Sequence, residues 1–226
     1  MSTSIETQPS DLSAPARDAL TEMIASLADT KAALGRRYGE WAVSAPTLES
    51  GVAAAAMAQD ELGHARSTYP LLTQLGVGSE NEDRMDVQSS IPLLAQPLAD
   101  WETFIAVNLI YDQMLTEFVS AATDSSFRPL AQRARKILQE EGSHQTHAAA
   151  WARRLLRDDR HADRFMGACT AVWEVAAQWP GDNDRYALLV GDSLVTGSPD
   201  VHRAAVCEHA ASVARDAGCM LDLDTR

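Results

Sequence analysis

Basic residues are scarce in this chain: 19 lysines and arginines face 32 aspartates and glutamates, for a net charge of -13. A nucleic-acid groove needs clustered Lys and Arg, and the sequence reads as having none, so nucleic acid is not an expected partner. Any phosphate-bearing ligand would likewise find no evident basic patch. Cysteine is limited to Cys169, Cys207 and Cys219, with no Cys-x-x-Cys spacing. That argues against a disulfide framework and for buried or free thiols in a reducing compartment. No apolar run reaches the roughly 18 residues that a membrane span requires. Met1 to Pro15 lack the basic start and apolar core of a signal peptide. Together these absences predict a cytoplasmic protein with no membrane partner. Neither a Ser-His-Asp nor a Cys-His arrangement stands out, and there is no glycine-rich phosphate loop.

What is present favours helix. Apolar residues make up 46% of the chain but aromatics only 6%, and Ala and Leu dominate, which are strong helix formers and poor strand formers. Leu20, Met23, Ile24, Leu27 and Leu34 recur at helical spacing and predict a first helix over about Ala16–Trp41. Pro46 disfavours helix at Ala45, and Ser44 is a candidate cap for the next helix. A second helix is expected over Thr47–Leu75, loosened at Pro70. A polar connection over 76–94 follows, then helices over 98–123 and from Pro129 to Leu156. Turn signals at Pro180-Gly181-Asp182 and Gly197-Ser198-Pro199 divide the remainder into helices over about 161–178, 184–195 and 199–216. The expected organisation is a flexible tail (1–14), an all-α four-helix bundle (15–157) and a helical extension packed on it (158–226).

Two short motifs carry chemistry. The second helix holds Glu61-Leu62-Gly63-His64 and the fourth holds Glu141-Gly142-Ser143-His144. On a helix, residues i and i+3 project from one face, so each Glu and His can hold one metal ion together. One such motif is weak evidence. Two on separate helices of a bundle are the pattern of ferritin-like di-metal carboxylate proteins, which add a carboxylate from each remaining helix. Asp112, flanked by Ile110 and Tyr111, is the strongest third-helix candidate, because an acid in an apolar helix is costly unless paired or ligating. Glu117 is a weaker one. His147 and Asp60 are candidates to support the ligands. Tyr111 and Trp41 read as core or interface aromatics, and His161, His202 and His209 carry no spacing signal.

The run Ala45-Pro46-Thr47-Leu48, followed by Gln59-Asp60-Glu61-Leu62-Gly63-His64, resembles the catalytic subunit of the phenylacetyl-CoA epoxidase (phenylacetic acid catabolic) family. So does Asp112, which lies 29 residues before Glu141. Leu27-Ala28-Asp29 with Gly39-Glu40-Trp41, and the helical last third, resemble instead the structural subunit of the same complex. The resemblance implies metal ligands at Glu61, His64, Asp112, Glu141 and His144. It also implies a sixth, a glutamate 30 residues before Glu61, where this chain has Lys31. Asp29 and Glu40 are poor substitutes, since each lies about 180–200° around the helix from Lys31.

Lys31 and Asp112 are therefore the candidate catalytic pair, and the charge balance changes with them. Three carboxylates and one ammonium leave -2, enough for one divalent ion. The expected outcomes are one ion, or none with Lys31 bridging Asp112 and the glutamates; the alternative is a Lys31 that reaches out to solvent. A lysine beside a dication would have its pKa depressed by burial and by that cation.

The resemblance implies a di-iron-type or modified single-metal oxygenase with iron, one or two ions per chain, or manganese. It would oxidise a small molecule, possibly a CoA thioester, with a reductase and a partner oxygenase subunit in a homo- or hetero-oligomer. The alternative it implies is the non-catalytic structural subunit.

Overall fold

The computed structural model describes residues 11–77 and 91–223. Among these, secondary structure is entirely helical. Helix α1 spans Ala14–Trp41 and α2 spans Leu48–Thr68. A short α3, Pro70–Gln74, continues α2 after a break at Tyr69, where Pro70 cannot donate to the helical ladder. The connection expected over 76–94 falls largely outside the described residues; its far end forms α4, Pro92–Ala95. Then come α5 (Trp101–Ala106), a π-helical turn over Val107–Asp112, and α6 (Gln113–Ala121), all one continuous rod. The long α7 covers Arg128–Leu156. Helices α8 (Ala162–Ala176), α9 (Asn183–Gly191) and α10 (Pro199–Asp216) follow.

Local chemistry sets these boundaries. Thr47, not Ser44, caps α2 by accepting a hydrogen bond from the Ser50 amide. Pro46 forces an extended residue ahead of it, so the helix begins later than Ser44 would allow. Gly51 is required here: a Cβ on it would sit 2.6 Å from the carbonyl oxygen of Ala42, so the α1–α2 turn closes only over a glycine. Asp100 and Ser198 cap α5 and α10 in the same way as Thr47.

The expected flexible tail, residues 1–14, lies outside the described residues up to residue 10. Beyond that Leu12 is buried, and the Ser13 amide donates to Asp192 at the end of α9, 2.9 Å away.

Helices α1 and α2 pack along their whole length as an antiparallel pair, and α7 and the α5–α6 rod close the bundle. Its interior is lined with Ala, Leu, Phe and Tyr. Helices α8 and α10 cover the α5–α6 rod. Buried Glu102 of α5 ties α8 down, accepting from Arg164 and lying 2.7 Å from His161 Nδ1. Tyr186 and His202 bond at 2.5 Å between α9 and α10. His161 and His202 thus hold helices together, far from the charged centre. All three cysteines are free thiols, Cys169 buried and the others half-buried. Among the described residues no helix is long and apolar enough to cross a membrane.

Candidate carboxylate–lysine centre

In the middle of the bundle, four helices deliver charged side chains to one point. Helix α1 contributes Lys31, α2 contributes Glu61 and His64, the π-turn contributes Asp112, and α7 contributes Glu141 and His144. All six are buried, Lys31 and Glu61 completely. The i, i+3 spacing of each Glu-x-x-His puts both side chains on the inner face. The π-turn widens the α5–α6 rod by one residue per turn just where it passes the centre, ending on Asp112. Such turns often mark functional positions.

Lys31 Nζ donates to Glu61 Oε1 at 3.0 Å, to Asp112 Oδ1 at 2.7 Å and to Glu141 Oε1 at 2.6 Å. Its three protons therefore each meet a carboxylate from a different helix. Burial alone would strip the ammonium of its charge, but Asp112, Glu141 and Glu61 outweigh it and hold the Lys31 pKa above the usual lysine value. His144 takes the opposite side of the same triad. Its Nδ1 lies 3.3 Å from Glu61 Oε1 and Asp112 Oδ2 and 3.5 Å from Glu141 Oε2, and its Nε2 faces Asp60 at 3.3 Å. Burial disfavours the imidazolium, yet the bonds to Asp112 and Glu61 prevail and push His144 up to about 11.

The carboxylates respond unequally. Burial works against the Asp112 anion, but Lys31 and His144 more than compensate and hold it well below the usual carboxylate range. Glu141 is pushed up to about 8 by burial and by the charge of Asp112. Glu61 is raised by the same causes. Two monovalent cations thus sit against an ionised Asp112 and two glutamates that share the remaining negative charge.

His64 spans from the triad to the rim of the bundle, with its Nδ1 3.4 Å from Glu141 Oε1. Its Nε2–H donates to Glu140 Oε2 at 2.7 Å. Burial and the nearby Lys31 charge lower its pKa to about 3, so the ring is neutral. Its Nδ1 lone pair and Glu61 Oε2 are both buried without a hydrogen-bond partner.

Glu61, Asp112, Glu141 and His144 each offer a ligand atom within 4.8 Å of one another, a grouping that could hold one ion. His64 is not part of it. One oxygen of each carboxylate is taken by the Lys31 ammonium, and the position where the resemblance implies a fourth carboxylate supplies that ammonium instead.

The other acids of α1 do not replace the missing glutamate. Asp29 accepts from the Tyr69 hydroxyl at 2.9 Å, and Glu40 pairs with Arg37 near the surface. Glu117 accepts from Gln113 and stays outside. His147 joins an aromatic wall with Trp101 and Phe104 rather than the centre. Two groups carried no signal in the sequence. Glu140 orients His64. Tyr38, seven residues after Lys31 on the same face of α1, buries its hydroxyl in the field of Asp112, Glu61 and Glu141, which with burial keep the phenol protonated.

An all-α ferritin-like bundle with a buried carboxylate–histidine centre defines the class. The family model for phenylacetic acid catabolic proteins matches residues 1–223, and the chain belongs to that family. It is also similar to the C subunit of the 1,2-phenylacetyl-CoA epoxidase of Escherichia coli (strain K12): 26% identity over 193 residues, covering 82% of this chain and 77% of that protein.

Proposed function

We propose that this chain is a non-catalytic subunit of an oxygenase of the phenylacetyl-CoA epoxidase type, in which Lys31 holds the bundle centre together in place of metal. The observation that carries the reading is the position of Lys31 Nζ, within 3.0 Å of Glu61, Asp112 and Glu141, the three carboxylates of the centre. A metal entering there would have to displace a completely buried ammonium and leave it without partners, which is strongly unfavourable. The similarity to a protein named as one subunit of an epoxidase is consistent with this role. The chain would then act by supporting a partner oxygenase subunit, and iron, reductase and substrate would meet in that partner.

A second reading is favoured by the four donors within 4.8 Å and the two unpartnered acceptors, Glu61 Oε2 and His64 Nδ1. It is a single-metal oxygenase holding one iron or manganese ion on Glu61, Asp112, Glu141 and His144 with Lys31 swung aside. Metal content per chain after growth in iron-replete medium separates the readings, with Glu141→Ala as control. No bound metal is expected. One ion, lost in the control, would establish the second reading, and about two ions would overturn the argument from Lys31.

A further inference from the structure

The end of α7 and the turn that follows it carry Arg153, Arg154, Arg157 and Arg160, four basic residues within eight positions. On a helix, residues three and four apart are neighbours, so Arg157 stands beside Arg153 and Arg154. The chain turns after Leu156 and brings Arg160 to the same place. With Asp158 and Asp159 these arginines line an open surface cleft of about 710 Å³. A basic patch that the sequence does not make evident is thus assembled on a chain whose net charge is -13.

Its charges do not cancel. Arg160 is engaged by Asp158, donating from Nε to Oδ1 at 3.0 Å and from Nη2 to Oδ2 at 2.7 Å. These bonds hold the Asp158 carboxyl well below the usual carboxylate range. Arg153 approaches Asp216 Oδ2 at 3.4 Å. Arg154 and Arg157, both exposed, have no carboxylate partner among the described residues. On the cleft wall, exposed Asp159 alone is left to oppose them.

The two free guanidiniums are nevertheless held in place. Arg154 lies over the Trp151 ring, 4.6 Å from its centroid, and Arg157 donates to the Asp216 carbonyl at 2.6 Å. The stacking leaves the N–H groups of Arg154 available, and one bond leaves four of the five on Arg157. A helix C-terminus attracts cations. That accounts for Arg153 and Arg154 in the last turn of α7, but not for Arg157 and Arg160 beyond it. Like charges three and four residues apart repel, so the grouping costs the chain stability that an anion among them would return.

We infer that this cleft binds the phosphate group of a soluble phosphate ester or diphosphate, gripped by Arg154 and Arg157 with Arg153 beside them. Arginine forks match phosphate oxygens in pairs, and two unpaired guanidiniums balance a dianion. Arg160 is a positioning residue: by taking up Asp158 it keeps that carboxylate from repelling the anion. The cleft lies roughly 15 Å along α7 from His144, so the inference is independent of what fills the centre.

Calorimetric titration of the full chain with inorganic pyrophosphate at low salt tests it. Wild type is expected to bind, and to bind more weakly as salt rises, since the site is open to solvent. Arg154→Gln/Arg157→Gln should weaken binding at least about tenfold, with the free chain still folded by circular dichroism. Arg135→Gln/Lys136→Gln removes the same charge roughly 27 Å away along α7 and should bind as wild type does. Arg160→Gln should weaken binding, and adding Asp158→Asn should restore it. Vesicles containing phosphatidic acid should stay unbound, because the net charge repels an anionic surface. No binding by wild type, or equal losses in the two double variants, would overturn the site. An Arg160→Gln loss that Asp158→Asn leaves unrepaired would overturn the role given to Arg160. Vesicle binding that Arg154→Gln/Arg157→Gln abolishes would replace the soluble ester with a lipid headgroup.

Discussion

Lys31 Nζ lies 2.7 Å from Asp112 Oδ1, and neither residue reaches solvent. The pair joins α1 to the π-turn, and the other two protons of Lys31 join both to α2 and α7. Such a cluster is not by itself a source of net stability, because desolvation consumes much of the attraction. Breaking it is another matter. Lys31→Met should destabilise the fold by about 3–5 kcal/mol, since it leaves buried carboxylates uncompensated. Denaturant unfolding in the presence of a chelator measures this. Adding Asp112→Asn to Lys31→Met should recover part of the loss, and a double-mutant cycle with no coupling would sink the account.

Lys31→Glu should behave differently from Lys31→Met. It supplies the carboxylate that a ferritin-like di-metal bundle takes from its first helix. Without metal the variant should be less stable than wild type. With iron(II) or manganese(II) it should bind metal and regain stability, by about 2.7 kcal/mol at a free ion concentration one hundred times Kd. Metal analysis and melting curves with and without ion report both effects. If Lys31→Glu takes up no metal, the remaining donors are not a latent ligand set.

The stability of the centre should fall as pH rises from 6.5 to 8.5. His144 is held at about 11 against an ordinary 6.5, and Glu141 at about 8 against an ordinary 4.5. Between pH 6.5 and 8 the folded chain therefore keeps protons that the unfolded chain has released, and stability declines with pH. The His144 contribution is complete below 6.5 and is lost as pH climbs toward 11. His64 and His147, held at about 3 and 4, act in the opposite sense, but only below 6.5. Melting temperatures across this range check the sign. Glu141→Gln should flatten the slope, and a melting temperature that climbs with pH would contradict the assignment.

Gly51→Ala should destabilise by about 1–3 kcal/mol, because the new Cβ would lie 2.6 Å from a backbone oxygen, that of Ala42, which cannot move without reopening the α1–α2 turn. Gly142→Ala, which meets nothing, should instead stabilise the isolated chain by up to about 1 kcal/mol. Equal effects at the two positions, measured by thermal unfolding, would remove the distinction.

Much of this centre was legible in the chain. Two Glu-x-x-His motifs fix their side chains on one helical face whatever the fold, and the apolar flanks of Asp112 mark it as a buried acid. The family resemblance, which implies a glutamate 30 residues before Glu61, made Lys31 the odd position, and bridging of the carboxylates was one of the outcomes it allowed. The charge state was not legible. Whether a buried ammonium is depressed or raised depends on what stands around it, and only packing put three carboxylates within hydrogen-bond reach. The π-turn at Val107–Asp112 left no periodicity signal, since one widened turn shifts the apolar pattern by less than the pattern's own irregularity. Glu140 and Tyr38 were missed because their roles come from neighbours on other helices.

Sequence alone therefore determined the helices, their breaks at Pro46 and Pro70, and the residue types that meet in the bundle, because these follow from local sterics and a fixed helical period. Tertiary structure decided which cation fills the centre and which way each proton sits. Those depend on distances between helices, which no local rule contains.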